Sequence, residues 1–224
     1  MNIDIEPLLL SLKLASITTL LLFVAGVPLA YWLSRTRSWI RLPVQVLVML
    51  PLVLPPTVLG FYLLLGLSPS SFVGSIFMHF LDVRLVFSFA GIVIGSIIFS
   101  LPFMVNALLA GFEGLPVSLR EASQVLGKSD SATLFKVLLP NMKPAMFTGI
   151  AMTFAHTMGE FGVVLMIGGK IPGVTRVASM AVYDSVEMMD YASAHFYAAV
   201  LFIVSAAFLV ALFAINRRFY RGLQ

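Results

Sequence analysis

The chain has 224 residues, 60% of them hydrophobic and 11% charged, with a mean hydropathy of +1.02 and a net charge of +4. Soluble domains hold about 45–50% apolar and about 25% charged residues. This composition therefore excludes a soluble enzyme, a disordered chain and a disulfide scaffold, and leaves a polytopic membrane protein. Cysteine is absent, which removes disulfides, thiolate metal sites and cysteine nucleophiles.

A membrane-crossing helix needs about 20 apolar residues. Five runs qualify, at 8–33, 42–67, 85–109, 144–168 and 194–215. They predict an all-α membrane protein with five transmembrane helices in a single domain covering 1–224. The second run holds Pro51, Pro55 and Pro56, which predict a kink or a break. Lys13 sits near the outer end of the first run, where it can snorkel to the interface, and Trp32 and Trp39 flank its inner end. The acidic start, Asp4 and Glu6, argues against a cleavable signal. The chain ends shortly after Arg221, so no attached regulatory domain is expected.

Charge placement gives sidedness. One side carries Arg35, Arg37, Arg41, Arg120, Lys128, Lys136, Lys143, Arg217, Arg218 and Arg221 against Glu113, Glu121 and Asp130, so ten minus three is +7. The other carries Arg84, Lys170 and Arg176 against Asp4, Glu6, Asp82, Asp184, Glu187 and Asp190, so three minus six is −3. Basic residues collect on the cytoplasmic side. The N-terminus is therefore expected outside and the C-terminus in the cytoplasm.

Residues 67–84 read as a short outer loop. Residues 169–193 read as a longer one, whose part from Val174 to Tyr191 has helical spacing. The one sizeable polar segment is the inner loop at about 111–141. Ser118 and Glu121 read as a capping box that starts a short helix, and Gly127 as its C-terminal residue. Ser129 or Asp130 can cap a second short helix, with Leu134, Phe135 and Leu138 on one face and Pro140 as its end. Two short helices at an angle make a knob suited to a groove on a soluble partner. Gly127-Lys128-Ser129 looks like the end of a phosphate-binding loop, but Ala122 stands where that motif needs glycine, and a helix precedes it. This chain is not expected to bind ATP.

Glu121-Ala122-Ser123, with Gly127 four positions on and then Phe135, Leu138, Leu139 and Pro140, resembles the E-A-A loop of ABC importer permeases. Ser123 replaces the second alanine, a small-for-small change. The resemblance implies a type I ABC importer permease fold, with coupling helices that dock on a separate ATPase. Glu121, Ala122, Ser123, Gly127, Phe135 and Pro140 would make that contact. It also implies a pathway between two copies of the chain, a dimer of ATPase subunits, a soluble substrate-binding protein, surrounding lipid, and no nucleic acid. The chain would be a transport subunit and not an enzyme, in a bacterial or archaeal cytoplasmic membrane.

The stretch Leu50 to Gly60, with its L-P-L-V-L-P-P run, is similar to the second span of molybdate permeases. So are Gly159-Glu160-Phe161-Gly162 and the later Ile171-Pro172-Gly173 with Thr175-Arg176. Sulfate and tungstate permeases share the G-E-F-G element, so sulfate, thiosulfate and tungstate stand as alternatives to molybdate.

A desolvated dianion needs hydroxyl and N–H donors along its path. Ser100, Thr153, His156 and Thr157 supply candidates, with interhelical packing as the competing role. Glu160 is an acid at membrane depth and is therefore expected to face protein or water, or to be protonated. It could pair with Lys13, cap a broken helix, form a gate contact, or carry protons in an ion-coupled secondary transporter. His156, one turn earlier, could hydrogen-bond to it. The three histidines are scattered, so no metal and no cofactor are expected.

Overall fold

The computed structural model describes residues 4–221, with the side chains of Leu81 and of 215–221 outside the description. The charge count at Arg217, Arg218 and Arg221 therefore lies outside the described side chains. The regular elements among the described residues are all helical: α1 (Glu6–Arg35), α2 (Arg41–Val53), α3 (Pro56–Leu67), α4 (Phe72–Leu81), α5 (Phe89–Glu113), α6 (Val117–Val125), α7 (Asp130–Thr133), α8 (Leu139–Asn141), α9 (Lys143–Met158), α10 (Gly162–Gly168), α11 (Ala178–Glu187) and α12 (Tyr191–Arg221), with a π-helical segment Leu134–Leu138 joining α7 to α8.

Helices α1, α5 and α12 are each long and apolar enough to cross a membrane, and two bent pairs bring the total to as many as five. The pair α2–α3 turns by 115°. The cause is local: Pro55 and Pro56 lack N–H donors, and Leu54 and Pro55 adopt extended backbone at ψ 138° and 135°. The pair α9–α10 turns by 59° across Gly159, Glu160 and Phe161, so the fourth apolar run is not one straight helix.

Helices α1, α5 and α9 pack against one another as the centre of the subunit. Leu22, Leu33, Met104, Leu108, Leu138 and Met142 fill one half, and Leu14, Ile92, Val164 and Met180 the other. Close approach depends on small residues, as between membrane helices generally. A Cβ at Gly26 would lie 3.1 Å from Met104, and one at Gly149 would lie 3.1 Å from the same side chain.

The segment 67–84, read as a loop, contains α4. Ser71 caps it by accepting from the Gly74 N–H at 2.9 Å. Its ten residues are too few to register as a span, which is why the apolar count passed over it. Helix α11 lies inside the Val174–Tyr191 stretch where helical spacing predicts one.

Candidate functional site

The knob is built by α6, α7, the π segment and α8. Helix α6 starts earlier than the capping box requires. Pro116 is the N-cap residue, with φ −57° and ψ 133°, and makes no side-chain cap. Ser118 is therefore already helical at the second position, and Glu121 lies too deep to reach back. The capping box does not form. The C-terminus is as expected. Gly127 has φ +70°, its N–H bonds the Gln124 carbonyl at 2.9 Å, and the Lys128 N–H bonds the Ser123 carbonyl at 3.1 Å. That pair of bonds is a Schellman motif around a left-handed residue.

Ser129 caps α7 by accepting from the Ala132 N–H at 3.2 Å. The chain then widens into π register, with the Leu139 N–H bonding the Leu134 carbonyl. The wider turn accommodates Pro140, which has no N–H to give. Pro140 therefore does not end the helical path, which breaks at Met142, where φ is −109°. Phe135 leaves the face expected of it. Leu134 and Leu138 are buried in the core, whereas Phe135 is 64% exposed.

Ser123 has a structural task. Its hydroxyl lies 2.8 Å from that of Thr133, a buried bond that locks α6 to α7. Arg35 at the end of α1 reaches Asp130 at 3.1 Å and the Tyr31 hydroxyl at 2.6 Å, and Arg41 pairs with Glu113. The knob is thus tied to the membrane helices. Its free surface presents Val117, Val125, Leu126 and Phe135, all strongly exposed, beside exposed Glu121 and Ala122. Val117, Val125 and Leu126 escape sequence reasoning because a spacing pattern cannot say which apolar residues of a short helix face outward.

The second cluster lies on the α5–α9 seam. Ser100 Oγ is 2.9 Å from His156 Nδ1 and 2.9 Å from Thr157 Oγ1, and Thr157 donates to the Thr153 carbonyl at 2.9 Å. The His156 ring sits 4.7 Å from Phe99 and 4.2 Å from Phe103. Its partner is Ser100, not Glu160 as the one-turn spacing allowed. Ser100, Thr153, Thr157 and Glu160 are all buried inside one subunit. The seam places their hydroxyls against neighbouring helices and not along an open surface.

Glu160 occupies the break between α9 and α10. Both of its carboxyl oxygens are buried without a hydrogen-bond partner among the described residues. The Ser96 hydroxyl is likewise buried without a hydrogen-bond partner among the described residues. Lys13 is not its partner: that ammonium sits 4.6 Å above the Phe89 ring. Helix α10 starts without a side-chain cap, so Glu160 does not cap it. Its backbone carbonyl accepts from Ser179 Oγ at 2.6 Å, which fastens the break to α11.

The end of α10 beyond the break is held by the Ile171 to Arg176 stretch. Thr175 Oγ1 donates to the Gly168 carbonyl at 2.7 Å and accepts from the Ile171 N–H at 3.1 Å. Arg176 bonds Asp184 at 3.1 Å and approaches Asp4 at 3.8 Å. Lys170 bonds Asp184 at 2.7 Å, and this hydrogen bond raises its pKa above the usual lysine range. Among the described residues no group of His, Asp and Glu is arranged to hold a metal ion.

Residues 23–224 match the family described as binding-protein-dependent transport system inner membrane component. The chain belongs to this family. It is 45% identical to the molybdenum transport system permease protein ModB of Azotobacter vinelandii, over 99% of this chain and 97% of that one. It is 32% identical to ModB of Escherichia coli strain K12, over 81% of this chain and 80% of that one. A sulfate transport system permease protein, CysT of Salmonella typhimurium, is 33% identical over 86% of this chain and 68% of that one. Among solved structures, the fold matches a chain of the MetNI methionine ABC transporter, with TM-score 0.74 at 18% identity over 96% of this chain and 94% of that one. A bacterial ABC importer of alginate gives TM-score 0.77 at 19% identity, over 96% of this chain and 79% of that one. The all-helical ABC importer permease fold and the role of a membrane transport subunit follow.

Proposed function

We propose that two copies of this chain form the membrane pathway of a molybdate importer, supplied by a soluble binding protein and driven by two ATPase subunits. The observation that carries the substrate is the near-full-length similarity to a protein named for molybdenum transport, extending through the proline-rich second run and the Ile171 to Arg176 stretch. The knob carries the drive. Apolar side chains on a short helix, fixed in angle by Gly127, fit the helix-in-groove mode of docking. ATP-driven closure of the ATPases would draw the two knobs together. The Ser123–Thr133 and Arg35–Asp130 contacts would pass that movement to α1. The pathway would then alternate between outward and inward access. Exposed apolar side chains on α2 and α3, among them Leu42, Val46, Val53 and Tyr62, give a surface for the second copy and for lipid.

The test is uptake in liposomes holding the permease, its ATPase and its binding protein. ATP-dependent molybdate uptake that survives an ionophore is expected, with sulfate competing weakly. Sulfate uptake of equal efficiency would move the substrate reading to the sulfate permeases. Ionophore-sensitive uptake without ATP would replace the mechanism with ion coupling at Glu160.

The topology in this reading counts each bent pair as one span, with the N-terminus outside. Cysteines placed at Ser70 and Glu187, both exposed, are expected to react with an impermeant thiol reagent in intact cells, and cysteines at Ser38 and Lys128 to stay unreacted. External labelling at Lys128 would invert the arrangement. Ser185 is unsuited to this test because it is buried against α11's own turn.

Glu160 would act at a gate and not as an anion ligand. It sits at a 59° break and holds no partner for its carboxyl group among the described residues. Glu160→Gln keeps shape and removes ionisation. It is expected to assemble normally and to change either uptake rate or basal ATP hydrolysis by several-fold. Wild-type values for both would reduce Glu160 to a structural element of the break.

A further inference from the structure

Between the knob and the inner ends of α1 and α5 lies a pocket of about 260 Å³. Tyr31, Arg35, Glu113 and Arg120 line it, over an apolar floor at Phe112. The charges around it do not cancel. Arg35 is paired with Asp130, and Glu113 with Arg41. Counting those four with Arg120 leaves one positive charge over, because Arg120 has no ion pair among the described residues. Its Nε is also buried without a hydrogen-bond acceptor. A buried donor left unpaired costs about 1–3 kcal/mol, more when it belongs to a charged group. Native proteins keep few such groups, and a bound ion is one ordinary reason for keeping one.

We propose that this pocket binds a phosphate-like tetrahedral oxyanion group. The chemistry of the wall fits. A guanidinium presents a planar set of donors matched to phosphate-type oxygens. Arg35 donates to the oxygen of the Tyr31 hydroxyl at 2.6 Å, which leaves that O–H free to donate into the pocket. A second guanidinium from Arg35 stands on the same wall. The neighbouring Glu113 carboxylate is engaged by Arg41, which limits its repulsion. The group would come from the head group of an anionic inner-leaflet lipid or from free oxyanion in the cytoplasm. Either way it would join Arg120 on α6 to Arg35 and Tyr31 on α1, bracing the knob against the central helices.

The test uses the permease–ATPase complex without the binding protein. In one arm, native mass spectrometry of gently purified complex is expected to show retained anionic phospholipid. In the other arm, delipidated complex is titrated with inorganic phosphate and with molybdate, following the melting of the permease. Retained lipid identifies a head group as the source, and stabilisation of delipidated complex by free anion identifies the second source. Arg120→Gln is expected to weaken the responding arm at least ten-fold and Arg120→Lys less, a difference that also separates the pocket from anion sites on the ATPase. The proposal fails if the wild-type complex retains no anionic lipid and answers neither anion, or if Arg120→Gln binds like wild type. Because wild-type binding is read directly, a variant that loosens the knob does not spare the proposal. Binding by wild type supports the pocket whether or not the knob couples ATP to transport.

Discussion

Replacing Gly127 by valine is expected to give a folded, membrane-inserted permease that captures its ATPase poorly and moves little anion. The position has φ +70°, and a Cβ built there meets no atom within 4 Å. Steric collision with neighbours therefore plays no part, and the whole penalty is conformational. A residue with a Cβ loses about 1–2 kcal/mol in left-handed backbone, and a β-branched one suffers most. The Schellman bonds from Gly127 and Lys128 would open, and α6 would lose its fixed angle to α7. The knob's apolar surface would then no longer match a rigid groove. Asparagine tolerates left-handed backbone, so Gly127→Asn is expected to keep most capture and uptake. Pull-down of the ATPase and liposome uptake, run on both variants, decide the matter. If valine behaves as well as asparagine, the angle of the knob is irrelevant and the coupling role falls. Glu121→Ala is a cleaner companion than the sequence implied. With no capping box to lose, it removes only an exposed carboxylate, and surface changes of that kind stay within about 0.5 kcal/mol in stability. Any loss of ATPase capture then reports contact.

Legibility in the sequence followed the length scale of each interaction. The long apolar runs at α1, α5 and α12 were plain, because burial in lipid demands about 20 residues and nothing else produces them. Gly127 and Ser129 were readable because each acts on backbone within three residues of itself. Ser118 and Glu121 misled for a related reason. Their spacing satisfies a capping box, but Pro116 two residues earlier starts the helix first. Partners across the bundle were the hardest to see. His156 bonds Ser100, 56 residues away, in preference to Glu160 on the next turn. Phe135 is exposed because the π turn rotates it off the Leu134–Leu138 face, and no period in the sequence announces a π turn. Tyr31, Arg35, Glu113 and Arg120 of the pocket come from α1, α5 and α6, so their convergence exists only once the helices pack.

Gly60→Ala and Gly66→Ala are expected to move stability in opposite directions, although both replace a glycine by alanine in α3. In a helix interior alanine is favoured over glycine by about 1 kcal/mol. At Gly66 a new Cβ meets nothing within 4 Å, so some of that gain should appear as a slightly higher melting temperature. At Gly60 the Cβ would lie 2.7 Å from the Met166 Cβ and 3.1 Å from the Val163 Cα. Both contacts are with or next to the α10 backbone, which cannot swing aside as a side-chain tip can. The helices must separate, and forced overpacking costs about 1–3 kcal/mol, enough to outweigh the propensity gain. The consequence reaches further than stability. Helix α3 is the second half of the 115° broken pair, and α10 is the second half of the 59° pair. Their contact is what sets one break against the other. Gly162 sustains the same junction, since its Cβ would lie 2.8 Å from the Pro56 Cβ. Gly60→Ala should therefore lower the melting temperature of the purified permease by several degrees and depress uptake more than assembly. Thermal melting by size-exclusion of the detergent-solubilised protein, with Gly66→Ala as the matched control, reads the sign directly. Equal melting of the two variants would mean that α3 does not pack on α10 through Gly60, and that the two breaks are set independently.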